Sequence, residues 1–214
     1  MIERWNRWVV DHPVVVLVLA LLVCGLAGSG LKDYRNNNDP RIFFTEENPD
    51  YKRFRELEDR FTSNEMVLFV IHPGSGEVFE RQTLAALEEL TELAWTLPSS
   101  TRVDSLTNFQ HTEVDGDDLF TRYLVEDALG LTDAQLEEIR RIALAEPSLV
   151  GRLVSDQGHV AGIGVTVTMG EGHREAPEIT EAARVIRDEM QVRYPDIEFM
   201  LTGTVVFSEA SKQA

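Results

Sequence analysis

Cysteine is nearly absent from this 214-residue sequence, in which Cys24 is the single example. One cysteine excludes an intrachain disulfide and any metal site built from several cysteines of the chain. The five histidines form no His-x-x-x-His pair and no Glu-x-x-His pair, the usual helical arrangements of metal ligands. The sequence therefore predicts neither a disulfide-stabilised fold nor a metal site.

Positive charge is also scarce, because 20 Lys and Arg residues face 37 Asp and Glu residues for a net charge of −17. Residues 1–32 contain three basic and two acidic side chains, a sum of +1, so the remaining 182 residues carry −18. Nucleic-acid binding depends on Lys and Arg neutralising phosphates. The charge balance excludes a nucleic-acid partner.

Motifs of common enzyme classes are missing. The sequence contains no Gly-x-Ser-x-Gly nucleophile turn and no phosphate-binding loop of the Walker type. The run Asp115-Gly116-Asp117-Asp118 lacks the spacing and distal glutamate of an EF-hand, so we expect a solvated loop. Gly162-Ile163-Gly164 lacks the third glycine of a dinucleotide-binding motif, and we expect close backbone approach in a sheet there. We predict that the protein is not an enzyme and needs no cofactor.

What the sequence does contain is one long apolar run. No charged residue occurs from Val14 to Leu31, and about 18 helical residues at about 1.5 Å each give about 27 Å, close to the hydrocarbon thickness of a bilayer. We predict a transmembrane helix over residues 13–31, preceded by a cytoplasmic amino terminus, residues 1–12. A cleaved signal peptide and a buried core helix are the alternatives.

The flanks of this run favour a retained membrane helix. Trp5 and Trp8 lie where interfacial aromatic side chains anchor such a helix. Gly25, Gly28 and Gly30, near the outer end, are candidates for close packing against other helices. The acidic, lysine-poor domain that follows is typical of an exported domain, so we expect it on the extracytoplasmic side.

Residues 32–64 indicate a polar connector followed by a short helix. Asn48-Pro49 has the pattern of an N-cap followed by proline at the first helical position. Phe43 and Phe44 are the only local hint of a hydrophobic contact in this connector. They either pack against the following domain or contact lipid or a hydrophobic substrate.

Residues 65–205 are predicted to form one α+β domain. The expected strands are 65–72, 101–107 and 197–202, and a strand around 161–169 with 148–155 as its hairpin partner. The expected helices are 81–97 and one around 179–190, and a mostly helical insertion is expected at about 115–147. Within this insertion, Thr132 and Gln135 have capping-box spacing and predict the start of a helix that Glu146-Pro147 ends. The first strand is expected to be buried on both faces. The order strand–helix–strand, insertion, strand–helix–strand is the ferredoxin-like plan.

The chain resembles the amino-terminal part of an RND-superfamily exporter of the MMPL-like and hopanoid-transporter-like group. The motifs that carry the resemblance are Trp8-Val9-Val10-Asp11-His12-Pro13, Asn48-Pro49 with Tyr51, Phe61 to Val70, Val103-Asp104-Ser105-Leu106-Thr107-Asn108 and Thr202-Gly203-Thr204. Each motif is short, but together they form an ordered series over essentially all 214 residues.

This resemblance implies an inner-membrane protein of bacteria with an extracytoplasmic porter domain and several further membrane helices. Such exporters use proton entry to move lipids or other amphiphiles out of the membrane. The implied partners are the lipid bilayer, the remaining transmembrane helices, a second porter domain and a hydrophobic or lipid substrate, with homo-oligomerisation left open. The sequence stops at Ala214 before any proton-carrying residues, so we expect an inactive fragment in which residues 206–214 lead into a second membrane helix.

Two alternatives to an exporter fragment are open. The chain is either a single-pass anchored binding or sensor domain, or part of an export component of the SecD and SecF type. The DNA downstream of the codon for Ala214 separates them. Several more apolar spans with a second porter-like repeat would indicate the exporter. The absence of a further span would indicate the anchored domain. Protein-translocase motifs would indicate an export component of the SecD and SecF type.

Replacing Phe43 and Phe44 together by alanine tests whether they contact substrate. If they do, we expect export by the full-length protein to fall while the domain stays folded, because the apolar contact is lost. The measurements are an export assay and the circular dichroism spectrum. Unchanged export together with unchanged folding would remove the substrate interpretation.

Overall fold

The computed structural model describes residues 10–29, 48–53, 65–115, 118–170 and 174–213, and the chain separates into two compact units, Met1–Asn37 and Asn38–Ala214. The first unit contains helix α1 (Pro13–Ser29). The labelled elements of the second unit are β1 (Met66–Pro73), α2 (Arg81–Ala94), β2 (Ser100–Asp104), β3 (Gln110–Asp115), β4 (Asp118–Tyr123), a short 3-10 helix (Ala128–Gly130), α3 (Asp133–Ala145), β5 (Ala161–Val167), α4 (Ala176–Arg193), β6 (Ile197–Thr202) and α5 (Thr204–Gln213). Helices and antiparallel sheet in one unit confirm the α+β class.

Helix α1 consists of apolar and small residues and carries no acidic side chain in its first turn and no basic one in its last. Its large apolar side chains are exposed on all sides, as Leu17, Leu21 and Leu26 show at 62%, 65% and 66%. No helix in the described ranges is both long and apolar enough to cross a membrane. The predicted span, residues 13–31, ends with two residues that lie outside those ranges.

The main sheet of the second unit has four strands in the order β2-β5-β1-β6, and every neighbouring pair is antiparallel. Strand β1 pairs with β5 from Met66↔Thr166 to Ile71↔Ala161 and with β6 from Leu68↔Thr202 to Pro73↔Ile197. Strands β1 and β2 therefore run in the same direction, with β5 between them. Strands β5 and β6 also run in the same direction, with β1 between them.

Helices α2 and α4 pack against one face of this sheet and against each other. Helix α2 buries Leu84, Leu87 and Leu90 completely, and full burial of one such side chain is worth about 1.5–3 kcal/mol. In β1, Val67, Phe69 and Ile71 are fully buried and alternate with more exposed residues, as expected for a strand with one covered face. The helix-covered face is thus the core of the domain.

The sequence predicted the elements around this core closely. Strand β6 has the predicted bounds, and β1, β2, α2 and α4 lie where strands and helices were expected. Burial of β1 on both faces was wrong, because Met66 is 37% exposed on the face opposite the helices. The N-cap at Asn48 is confirmed by a hydrogen bond of 2.9 Å from the Asp50 backbone amide to the Asn48 side-chain oxygen.

The insertion at 115–147 is not mostly helical, because its first part belongs to a two-stranded hairpin. Strands β3 and β4 pair antiparallel from Gln110↔Tyr123 to Asp115↔Asp118. The two ends of the acidic run predicted as a solvated loop, Asp115 and Asp118, therefore belong to the strands and pair with each other. The two residues between them in the sequence are Gly-Asp, which is a typical signal of a two-residue hairpin. The helix predicted in the second part is present as α3.

The segment 148–155 is not a strand paired along β5. It forms turns, and only an isolated bridge joins Val154 to Ala161 at the start of β5. The reason is that β1 occupies one edge of β5 and β2 occupies the other edge from Gly164 to Val167, so only the first residues of β5 remain for this segment. The hairpin partner was assigned to the nearest segment in sequence, whereas the true partners are distant ones.

Residues beyond β6 turn back over the start of β1. Gly203 has φ of 115°, and a Cβ there would overlap the carbonyl oxygen of Met66. The Thr204 hydroxyl accepts a hydrogen bond of 2.9 Å from the Met66 amide, and Val205 is fully buried. Residues 206–213 of the predicted lead-in thus belong to helix α5, which begins at Thr204 and packs on the domain, and Ala214 lies outside the described residues.

We expect Gly203→Ala to lower the free energy of unfolding by about 2–4 kcal/mol, because alanine is strained at this φ and its Cβ meets backbone. The matched control is Gly76→Ala, since Gly76 has φ of 74° but open space around a Cβ, and about 1 kcal/mol is expected there. Equilibrium urea denaturation followed by far-UV circular dichroism measures both. Equal losses in the two variants would contradict the proposed overlap.

Candidate functional site

A pocket of about 240 Å³ lies between the β3–β4 hairpin and helix α3. Its walls combine apolar side chains with charged and polar ones. The residues that line it are His111, Arg122, Tyr123, Leu124, Glu126, Leu131, Gln135, Glu138, Ile139 and Ile142. Because two separate elements of the insertion form the walls, the pocket depends on how they pack together.

One wall is a single face of helix α3. Gln135, Glu138, Ile139 and Ile142 have the spacing i, i+3, i+4 and i+7, which places them along one side of a helix. The two isoleucines are buried, at 6% and 8% exposure, and form the inner part of the wall. The helix begins with the predicted capping box, in which Thr132 and Gln135 satisfy each other's backbone amides.

The opposite wall comes from the hairpin. His111 and Arg122 are direct partners in the β3–β4 register, so their side chains leave the same face of the hairpin. Thr112 and Thr121 leave the other face, where their hydroxyls are 3.1 Å apart. The chain then continues into Leu124, which is 7% exposed and belongs to the apolar floor of the pocket.

Helix α3 is fixed to the main domain by two arginines. Arg140 forms an ion pair with Glu77, and its guanidinium carbon lies 5.6 Å from the ring centre of Phe79. Arg81, at the start of α2, donates to the Leu131 carbonyl and to the Asp133 carboxylate, each at 2.6 Å. These contacts hold α3 on the loop after β1 and on α2, and so position one wall of the pocket.

Hydrogen bonds lower the pKa of two acidic side chains near the pocket, Glu138 and Glu146. Arg141 donates two hydrogen bonds to Glu138, at 2.9 and 2.5 Å. These bonds lower the pKa of Glu138, and the nearby charges of His111 and Arg122 act in the same direction. Hydrogen bonds from Ser148 lower the pKa of Glu146, with a smaller contribution from His111. The basic groups of the hairpin therefore lie within electrostatic range of α3.

The lining of the pocket contains no serine, cysteine or lysine. In the described ranges, no group of three or more His, Cys, Asp or Glu side chains could hold a metal ion. The lining combines an apolar floor with two basic and two acidic side chains, and polar groups of this kind orient a small molecule in a pocket.

Of the site residues predicted from the sequence, only Gly25 and Gly28 lie within the described residues. Gly25 lies in helix α1, and no atom within 4 Å would meet a Cβ there. Gly28 belongs to the same helix, but its surroundings are not described. Outside the described residues lie the anchors and contacts predicted at Trp5, Trp8, Gly30, Phe43 and Phe44.

The sequence reasoning missed the pocket and its two basic residues. Gly116-Asp117 was the available signal in the sequence, because Gly-Asp between two strand-like segments marks a two-residue hairpin. A hairpin in this register would have paired His111 with Arg122. No sequence signal showed that α3 would face this pair, because that contact is tertiary.

The segment Val103–Asn108, one of the motifs in the exporter resemblance, has a structural role. The hydroxyl oxygens of Ser105 and Thr107 are 2.9 Å apart, and those of Thr107 and Thr91 in α2 are 3.1 Å apart. Asn108 donates a hydrogen bond of 2.8 Å to the Val103 carbonyl and accepts one of 2.9 Å from the Ser105 amide. This buried network joins the end of β2 to α2.

Comparisons with known proteins leave the family open. No family model matches the chain, and no curated protein matches it.

We expect Thr107→Val to lower the free energy of unfolding by about 1–2 kcal/mol, because two buried hydroxyls lose a hydrogen-bond partner while side-chain volume is kept. Thr101→Val is the matched control, since Thr101 is exposed and makes one hydrogen bond to the Thr166 carbonyl; about 0.5 kcal/mol or less is expected. Urea denaturation measures both. A loss at position 107 no larger than that at 101 would argue against the network.

Proposed function

We propose that helix α1 anchors this protein in a membrane. Helices that are apolar on all sides are stable only inside a large core or inside a bilayer. The leucine and valine side chains of α1 are mostly exposed, with Val14 at 70% and Val23 at 59%. Exposed apolar surface of this extent favours insertion in lipid, with Trp5 and Trp8 as interfacial anchors.

The domain that follows is proposed to be a ferredoxin-like porter domain. Its strand order, β2-β5-β1-β6, supports this assignment because two strand–helix–strand units are interleaved in one antiparallel sheet. In the unit β1-α2-β2, strand β5 lies between the two strands. In the unit β5-α4-β6, strand β1 lies between the two strands. The hairpin, the 3-10 helix and α3 are then an insertion between the two units.

Together these features support a role as the amino-terminal part of a proton-driven exporter of the RND type in the bacterial inner membrane. The observation that carries the proposal is an interleaved sheet that comes after an apolar helix in the chain. In this proposal the domain is periplasmic, the substrate is a lipid or another amphiphile, and the remaining transmembrane helices and a second porter domain complete the transport path.

A single-pass anchored binding domain is the second candidate. The pocket between the hairpin and α3 favours it, because this pocket is formed within one domain and needs no second porter domain. The two candidates share the anchor and the periplasmic location. The downstream DNA distinguishes them, since further apolar spans with a second porter-like domain are expected for the exporter alone.

Cysteine labelling in cells tests the anchor and the orientation. Cys24 is the only cysteine, so Cys24→Ala provides an unlabelled background for Val192→Cys and Asp11→Cys. Val192 is 84% exposed in the porter-like domain. After permeabilisation of the outer membrane, a membrane-impermeant maleimide should label position 192, whereas position 11 should require cell lysis.

The chain is also expected to stay in the membrane fraction after a carbonate wash. Release by the wash would contradict the anchor. Labelling of position 11 without lysis, with position 192 protected, would contradict the orientation.

A further inference from the structure

The pocket next to α3 places two basic groups beside an apolar floor. His111 and Arg122 are cross-strand partners on one face of the hairpin, and both line the pocket. The floor consists of Leu124, Ile139 and Ile142, which are all buried. The domain as a whole is acidic, because it carries most of the negative charge of a chain of net charge −17. Two neighbouring basic groups beside an apolar floor are therefore not a general property of its surface.

The size of the pocket limits its occupant. Its volume of about 240 Å³ lies below the range of about 300–1,000 Å³ that is usual for sites of drug-sized ligands. The pocket therefore suits a small molecule better than a whole lipid.

We propose that this pocket binds a small amphipathic anion, a short aliphatic carboxylate, with its head group on Arg122 and His111 and its chain on the apolar floor. Arginine recognises carboxylates through two parallel hydrogen bonds. A guanidinium carries five N–H donors, so a ligand carboxylate can be added to the contacts that Arg122 makes within the protein.

Two glutamates also line the pocket, and their negative charges oppose an anionic ligand. Glu138, the carboxylate of α3 in the lining, accepts two hydrogen bonds from Arg141, which offsets its negative charge. Glu126 also lines the pocket and is exposed to solvent. The two glutamates reduce the affinity for an anion, so replacing either of them should strengthen binding.

This site is independent of membrane anchoring and of export. All of its lining residues lie between His111 and Ile142, within the insertion between the two strand–helix–strand units. A protein that is released from the membrane by the carbonate wash can still bind the anion, and a protein that stays in the membrane can still lack the anion site. The proposal of a membrane anchor and the proposal of an anion site can therefore be contradicted independently.

The test is a titration of the ¹⁵N-labelled full chain with hexanoate, followed by amide chemical shifts. We expect saturable shifts at β4 and α3 with a dissociation constant on the order of 1 mM or below. Hexanol and hexylammonium, which keep the chain but change the head group, should bind at least about tenfold more weakly.

Three variants separate the head-group contact from general charge effects. Arg122→Gln should weaken hexanoate binding by about tenfold or more, because a charge-assisted hydrogen-bond pair is lost. Glu138→Gln should strengthen it by about twofold to fivefold, because a nearby negative charge is removed. Arg102→Gln, an equal change in charge on a different strand whose side chain pairs with Asp104, should leave it unchanged.

Selective binding of hexanoate that depends on Arg122 and not on Arg102 supports the proposal. Preference for hexylammonium, or equal effects of the two arginine variants, overturns the assignment of an anion. Absence of saturable shifts for all three compounds overturns the binding site itself. Spectra of each variant without ligand show whether it remains folded, and Glu138→Gln gives a second test if Arg122→Gln does not fold.

Discussion

Strand β1 is the constraint on which the rest of the domain depends. It is hydrogen-bonded along both edges, to β5 and to β6, and its residues Val67, Phe69 and Ile71 are fully buried beneath α2 and α4. Because side chains alternate between the faces of a strand, a shift of one residue would turn these three side chains away from the core. The registers of β5 and β6, and the position of both covering helices, follow from this one strand.

Local pattern was sufficient for elements whose burial is regular. Strand β6 has its predicted bounds because Ile197 and Phe199 alternate with exposed residues, and α2 lies at its predicted position because its leucines recur at helical spacing. The hairpin was missed because Gln110, His111 and Thr112 are polar and give no apolar alternation. The partner of β5 was misassigned because a strand pattern reveals a covered face but does not identify which distant strand occupies each edge.

The candidate site could not be predicted for a related reason. Its helix was predicted correctly, including the cap at Thr132, but its function as a pocket wall depends on Arg140 and Arg81 reaching Glu77 and the Leu131 carbonyl in other parts of the chain. Ion pairs between residues more than 50 positions apart leave no periodic trace in a sequence. Conversely, the motif around Thr107, which contributed to the family resemblance, is explained by buried hydrogen bonds that hold the fold together.

The joining of Glu65 and Thr204 has a consequence for how the domain forms. These residues are 139 positions apart and are linked by a side-chain hydrogen bond where β1 begins and α5 starts. Folds dominated by such distant contacts fold slowly, because a long loop must close before the contacts can stabilise it. The central strand is made early during synthesis, but its second edge stays unpaired until the last strand has been made. Over that interval, β1 is a segment that a chaperone or another unfinished chain could bind.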